Sequence, residues 1–335
     1  MSTAGRAPLL HPVLRDLPCA ALPPPLVTLT LQPGLDVSYE VERLVDDRKL
    51  HASRYRFDPG GNGINVARAL TRLALPAHAC MLVAGEIGSL LRRLVARQVR
   101  HVHATRIAGE TRINAAVRQL DPAAQYEFIG RGPAPTPAEL RGVIEQLLQL
   151  GGGGVVALTG SLPDGVAPTL YAELAQQLHA RGSRVVLDMQ GEALAAAVPR
   201  RPFLIKPNRW ELEQLCGQAL PRIADVRREA CALVGAGVAN VCVSLGAQGA
   251  LLASADGVWR GLAPAVAVRS TVGAGDSMLA GLVGALACGA AAPDALRLGL
   301  ACGSGTAAQP GTELFDPAQL PALLRATRVR RLGAA

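Results

Sequence analysis

The chain has 335 residues, half of them hydrophobic, with seven cysteines, 3 % aromatics and a formal net charge of +8. That size and apolar fraction exclude a small disulfide-stapled module and suit one large domain with room for an accessory piece. Scattered basic residues and scarce aromatics exclude a nucleic-acid surface made of basic patches and stacking platforms.

Residues 1 to 24 are rich in Pro, Ala and Leu and end in a run of prolines, which predicts a poorly ordered extension. Val27 to Leu31 has a strand signature, and short alternating runs between Val37 and Phe57 suggest hairpins with one polar face. Pro59 to Gly63 is a glycine turn that opens a helix over Ile64 to Leu75, where Val66, Ala69, Leu70 and Leu73 share one face. His101 to Ile107, Asn114 to Leu120 and Tyr126 to Ile129 form a second group of short strands.

From residue 136 the pattern alternates helix and buried strand. Strands are predicted at Val155 to Thr159, Arg184 to Leu187, Phe203 to Ile205 and Val241 to Leu245. Helices are predicted at Pro137 to Leu150, Thr169 to Ala180, Glu211 to Leu215 and Ala224 to Val234, with two long ones around Asp276 to Cys288 and Asp294 to Ala308. Such alternation gives a mostly parallel sheet covered on both faces. The two early β groups do not fit inside it, so segments of roughly 35–57 and 101–129 are expected to form a small lid on a domain of 25–330.

Cys19, Cys80, Cys216, Cys231, Cys242, Cys288 and Cys302 make no C-x-x-C pair and read as reduced thiols of a cytoplasmic protein. Neither a signal peptide nor a membrane-length apolar run is visible, so no membrane partner is expected. His101 and His103 share a strand face, but without a third ligand nearby they read as polar face residues and not a metal site.

Chemistry concentrates in a few segments. In Thr271-Val-Gly-Ala-Gly-Asp276, Gly273 and Gly275 allow close backbone approach, and the helix that follows offers free N–H groups and a positive dipole end to a phosphate. An aspartate there would repel that phosphate unless it takes a proton from the attacking hydroxyl, although it could also simply cap the helix. No P-loop, dinucleotide fingerprint or H-E-x-x-H motif is present. After a buried strand and Lys206-Pro207, Asn208 and Glu211 lie three apart; they can hold hydrated Mg²⁺ or form an ordinary capping box. Ser244, Gly246 and Gly249 end another strand where nucleotides settle in open α/β folds.

Composition adds a test. Of 34 basic residues only Lys49 and Lys206 are lysines, and Asn62, Asn65, Asn114, Asn208 and Asn240 are the only asparagines. A coding bias that replaces both residue types leaves them where chemistry forbids the exchange, because a compact ammonium and a planar guanidinium are not equivalent at a phosphate.

Gly60 to Arg68 and Ser270 to Ser277 together resemble the two signatures of the ribokinase-like (PfkB) carbohydrate kinases. Gly160-Ser-Leu-Pro163, Lys206-Pro-Asn-x-x-Glu211 and Ser244-Leu-Gly246 follow in that family's order. The likeness spans about Leu26 to Pro321 and is greatest to the hexose-phosphate branch, which holds 6-phosphofructokinases, 1-phosphofructokinases and tagatose-6-phosphate kinases. It implies a three-layer α/β/α domain with a β-sheet lid, ATP and Mg²⁺ as cofactors, and a homodimer formed through the lid. It also implies Asp276 as the base, with Gly273, Ala274 and Gly275 as the anion hole. Asp36, Gly60, Gly61 and Asn65 would cradle the sugar; Lys49, Arg112 and Ser161 would meet its phosphate. Lys206, Asn208, Glu211, Ser244, Gly246 and Gly249 would serve ATP and the metal. Fructose 6-phosphate is the expected acceptor, with fructose 1-phosphate or tagatose 6-phosphate as alternatives and a non-catalytic sensor as a second one. Lys49 and Arg112 speak against an unphosphorylated acceptor. Departures are His51 in the lid, Asp188-Met-Gln-Gly191, and a shortened Ala84-Gly-Glu-Ile-Gly88.

Overall fold

The computed structural model describes residues 23–333; the extension expected over 1–24 falls almost wholly, and Cys19 entirely, outside the described residues. β1 (Leu26–Thr30) leads to β2 (Gly34–Val41), β3 (Arg54–Gly60), α1 (Asn62–Arg72), β4 (Ala77–Ala84), α2 (Gly85–Ala96) and β5 (His101–Ile107). The pair β6 (Arg112–Gln119) and β7 (Ala124–Ile129) precedes α3 (Pro137–Gly151), β8 (Val155–Thr159), α4 (Leu170–His179), β9 (Arg184–Asp188) and α5 (Gly191–Ala197). Next come β10 (Leu204–Ile205), α6 (Arg209–Cys216), α7 (Ile223–Gly235), β11 (Asn240–Ser244), β12 (Ala250–Ser254) and β13 (Gly257–Leu262). α8 (Ala274–Ala287), α9 (Ala292–Ala307), α10 (Leu320–Ala326) and β14 (Arg328–Gly333) follow.

A ten-stranded sheet runs in the order β14-β13-β12-β11-β10-β9-β8-β1-β4-β5. Neighbours from β5 to β11 are parallel, and β12, β13 and β14 add an antiparallel edge. Its strands are apolar on both sides: Val27 and Leu29 of β1 enter one core cluster and Leu26 the other, while Val156 and Leu158 of β8 alternate with Val155 and Ala157. α1, α2, α8 and α9 cover one face, and α3, α4, α6 and α7 the other. This three-layer α/β/α order is the expected one. α3 starts where the sequence predicts, because Thr136 and Glu139 close a capping box ahead of Pro137.

The second sheet has four strands in the order β3-β2-β6-β7. Its membership corrects one expectation. His101 to Ile107 does not belong with it; that segment is the edge strand of the large sheet, parallel to β4 with His78 opposite His101. The reason is the β4–α2 unit before it: α2 returns the chain so that β5 lands beside β4 as a β-α-β crossover. The same pairing explains the two histidines of β5. His101 stacks on His78 with centroids 4.5 Å apart, and His103 Nε2 lies 3.0 Å from His78 Nδ1. Among the described residues no group of three ligating side chains is placed to hold a metal, and no helix is long and apolar enough to cross a membrane. Cys80, Cys242, Cys288 and Cys302 are buried and form no disulfide among the described residues.

Candidate active site

The carboxyl edge of the parallel strands carries the site. Gly273 caps α8 with φ of 74°, a left-handed value that glycine adopts without strain. The turn leaves the Gly275 and Asp276 amides without an intrachain acceptor, at the positive end of a 14-residue helix. Asp276 follows in the first turn and is 6 % exposed. Asn62 Nδ2 donates to its Oδ1 at 3.0 Å and Asn65 Nδ2 to its Oδ2 at 2.9 Å. Burial, reinforced by the charge of Asp188, pushes this carboxyl up to about 6; the two amides and the Lys206 ammonium pull the other way. The aspartate is therefore no mere cap: its side chain makes no capping bond, and both its oxygens are engaged by amides of α1.

Asn65, expected in the sugar cradle, has its amide committed to this carboxylate. Its Oδ1 accepts from Arg68 Nη1 at 2.9 Å, and Arg68 is itself buried, bonding to Pro59 O and Gln98. Asn62 was not singled out for a role, yet it is one turn before Asn65 and grips the other oxygen. We expect Asn62→Ala to lower kcat by about tenfold or more, the usual worth of a hydrogen bond to a charged group. Losing a donor raises the carboxyl's pKa, so the acid limb of the rate profile should move up; an unmoved limb in a pH–rate series would contradict the role.

Lys206 directly follows β10 beside Asp188 at the end of β9, with Nζ 3.1 Å from Asp188 Oδ1. Burial drives the ammonium's pKa down, but the Asp188, Asp276 and Glu211 charges outweigh it and hold Lys206 above its ordinary value. Burial likewise raises Asp188, partly offset by Lys206. A Cβ built on Gly275 would stand 3.5 Å from Lys206 Nζ, which places the ammonium against the anion-hole turn.

Asn208 and Glu211 form a capping box at the start of α6: Glu211 N donates to Asn208 Oδ1 at 2.9 Å and Asn208 N to Glu211 Oε2 at 2.8 Å. The oxygen of Asn208 is thus committed to the helix end, and one oxygen of Glu211 remains. Glu211 and Asp188 line one cavity, and burial raises both carboxyls. Two partly unmatched carboxylates facing a cavity fit a hard cation that keeps water and phosphate oxygens as its other ligands. The residues present therefore suit Mg²⁺, with Asp188 and Glu211 better placed to hold it than the pair Asn208 and Glu211.

Among the residues expected to cradle the sugar, Asp36 of β2 accepts from Asn114 Nδ2 at 2.8 Å, and burial raises its pKa against that bond. A side chain on Gly60 would collide with the Asp36 carboxylate, so glycine is required there. Gln32 joins the two expected phosphate ligands: Arg112 donates to its Oε1 at 3.4 Å and to its backbone oxygen at 2.8 Å, and Ser161 Oγ reaches the same Oε1 at 3.4 Å. Buried Arg112 Nε has no partner, which leaves a donor for an incoming anion. Gly61 opens α1 with φ of 124°. Lys49 and His51 sit exposed in the loop joining β2 to β3, and no hydrogen bond or ion pair links Lys49 to these residues.

Two cavities of about 600 Å³ each flank Asp276. One is lined by Asn62, Ser161, Asp188 and Glu211, the other by Ser244, Gly246, Gly249, Thr271 and Gly275. The second is mostly apolar toward Met278 and Leu300, which suits a nucleobase over a polar phosphate turn. Gly249 has φ of 85°, and any side chain there would strike Gly261 O.

The three-layer α/β/α fold, the small second sheet and an aspartate behind a glycine turn at a helix N-terminus are the layout of a ribokinase-like phosphotransferase. The match to known proteins narrows this. The chain belongs to the pfkB family of carbohydrate kinases, whose sequence model matches residues 34–319. It is 36 % identical over 291 residues to ATP-dependent 6-phosphofructokinase isozyme 2 of Escherichia coli, covering 86 % of this chain and 94 % of that one. It is 33 % identical over 301 residues to 1-phosphofructokinase of Bacillus subtilis, covering 88 % and 97 %. The crystal structure of Escherichia coli phosphofructokinase-2 in complex with substrates and products superposes with a TM-score of 0.86 at 35 % identity, over 90 % of this chain and 98 % of that one.

Proposed function

We propose that this carbohydrate kinase transfers the γ-phosphoryl group of ATP to a hydroxyl of a hexose phosphate, with fructose 6-phosphate as acceptor and fructose 1,6-bisphosphate as product. The observation that carries it is Asp276, a buried carboxyl pushed up to about 6 and gripped by Asn62, with Asn62 and Ser161 lining one cavity and Ser161 meeting Arg112 at Gln32 Oε1. Asp276 takes the hydroxyl proton as the new P–O bond forms and the bond to the departing ADP oxygen breaks. The Gly275 and Asp276 amides and Lys206 meet the charge on the transferred group. Asp188 and Glu211 would hold Mg²⁺, which when bound neutralises phosphate charge.

A release-of-ADP assay across fructose 6-phosphate, fructose 1-phosphate and tagatose 6-phosphate tests the acceptor; a higher kcat/KM for either of the last two would overturn the first choice. Fructose 1-phosphate is the second reading, favoured by the relatives that are 1-phosphofructokinases. Arg112→Ala should raise KM for the sugar phosphate by about 10²-fold and leave KM for ATP unchanged, because a charge-assisted guanidinium–phosphate contact is lost. Equal efficiency on unphosphorylated fructose would count against the clamp.

The small sheet supports a homodimer. Tyr39, Tyr55, Phe57, Ile113, Tyr126 and Phe128 share its outer face and are 40 to 70 % exposed. Three of the chain's four tyrosines and two of its four phenylalanines lie there, an apolar patch that a second copy would cover. Sedimentation of a Phe57→Asp/Phe128→Asp variant checks it: a monomer is expected, an unchanged mass would refute it.

A further inference from the structure

The opposite, polar face of the small sheet meets the loops beside the phosphoryl-transfer turn around another cavity, of about 280 Å³. Arg54, Arg56, Arg118 and Arg269 line it against a single carboxylate, Glu40, which Arg118 already pairs at 3.4 Å. Arg56 is held by Asp58 and Glu313 at 2.6 and 2.9 Å. Arg54 and Arg269 have no ion pair among the described residues, so the cavity carries unmatched positive charge.

Two hydroxyls give a second, independent sign. Thr312 lines this cavity and is 5 % exposed, yet its Oγ1 has no hydrogen-bond partner. Ser38 Oγ, also sealed from solvent, has none. A buried hydroxyl without a partner is costly, and most are satisfied in native proteins. Gly311, with φ of 60°, keeps the floor open: a Cβ there would stand 3.2 Å from Arg56 Nη2 and 3.4 Å from Ser38 Oγ.

We propose that this cavity is a separate anion site for a phosphate group, either free phosphate or the phosphate of a small phosphomonoester. Arg54 and Arg269 supply the charge, and the Ser38 and Thr312 hydroxyls donate to its oxygens. The volume suits a phosphate with a short carbon chain and is small for a nucleotide. Bound there, the anion fastens the small sheet to the Arg269-Ser270 segment that leads into the Thr271–Asp276 turn. None of its ligands belongs to the sugar-phosphate clamp or the base, so the site stands or falls apart from the choice of acceptor.

Calorimetric titration with inorganic phosphate and with glycerol 3-phosphate tests it on three full-length proteins: Arg112→Ala, which removes the clamp in the cleft; Arg54→Ala/Arg269→Ala/Arg112→Ala; and Thr312→Val/Arg112→Ala. Binding is expected to persist in the first and to weaken about 10²-fold in the second and several-fold in the third, through loss of charged hydrogen bonds. Tighter binding of glycerol 3-phosphate assigns the site to a phosphomonoester, and tighter binding of phosphate to the free ion. No binding to Arg112→Ala, or equal affinity in Arg112→Ala and the triple variant, would overturn the proposal; Arg54 and Arg269 are exposed and Arg112→Ala is common to all three proteins, so folding does not confound the comparison.

Discussion

Asp276→Asn should lower kcat by about 10³-fold or more, the upper range for loss of a general base, while the Kd for ATP stays within about twofold. The amide is isosteric and still fills the space beside Asn62 and Asn65, so the fold is kept and only the proton acceptor is lost. pH supplies the companion measurement. With the carboxyl at about 6, the ionised base is the dominant form at pH 7 and is lost as pH falls through 6. The kcat/KM of the wild type should therefore drop tenfold per unit below that value, and residual activity of the asparagine variant should not share the limb. Near-normal turnover in Asp276→Asn would remove the base from the mechanism. Retained ATP affinity with lost turnover would also separate a kinase from a sensor on the same fold, which needs no base.

What the sequence made legible was local. The glycine turn of Gly273 and Gly275 before a helix, the Asn208–Glu211 capping box and the helix start at Pro137 depend on neighbours within a few residues, and each is found where its residues predict. Pairings between distant strand ends were not visible. Asp188 and Lys206 meet only because β9 and β10 are adjacent and end together, and nothing in either local sequence announces the partner. β4 escaped because Ala77 to Ala84 is buried on both faces and so shows neither a helical nor an alternating period. Without it, β5 had no visible place in the large sheet. Asn62 had a usable signal, since asparagine is scarce in this chain, but its setting in a glycine turn drew attention to the backbone instead. Asn65 is expected in the sugar cradle, and its bond to Asp276 is a contact its local sequence does not announce, because only the packing of α1 on α8 makes it.

Lys206→Met is expected to cost both stability and turnover, for separable reasons. Removing the ammonium leaves the Asp188 carboxylate buried at 11 % side-chain exposure without its 3.1 Å partner, a loss of about 3–5 kcal/mol for a broken buried pair. A fall in Tm of about 4–7 °C should follow for a chain of this size. Asp188→Asn/Lys206→Met replaces the stranded charge by a neutral amide and should recover most of that Tm. Turnover should remain low in the double variant, because the cation that faces the Gly275 turn is still missing and the carboxylate offered to the metal is gone as well. Lys206 also pulls the Asp276 carboxyl down, so in Lys206→Met the acid limb should shift to higher pH. In the double variant loss of the Asp188 charge more than cancels that shift, since Asp188 pushes the same carboxyl up more strongly than Lys206 pulls it down. A single variant that melts with the wild type would show that the pair adds no stability. A double variant that regains turnover would show that the ammonium serves Asp188 alone and not the transferred phosphate.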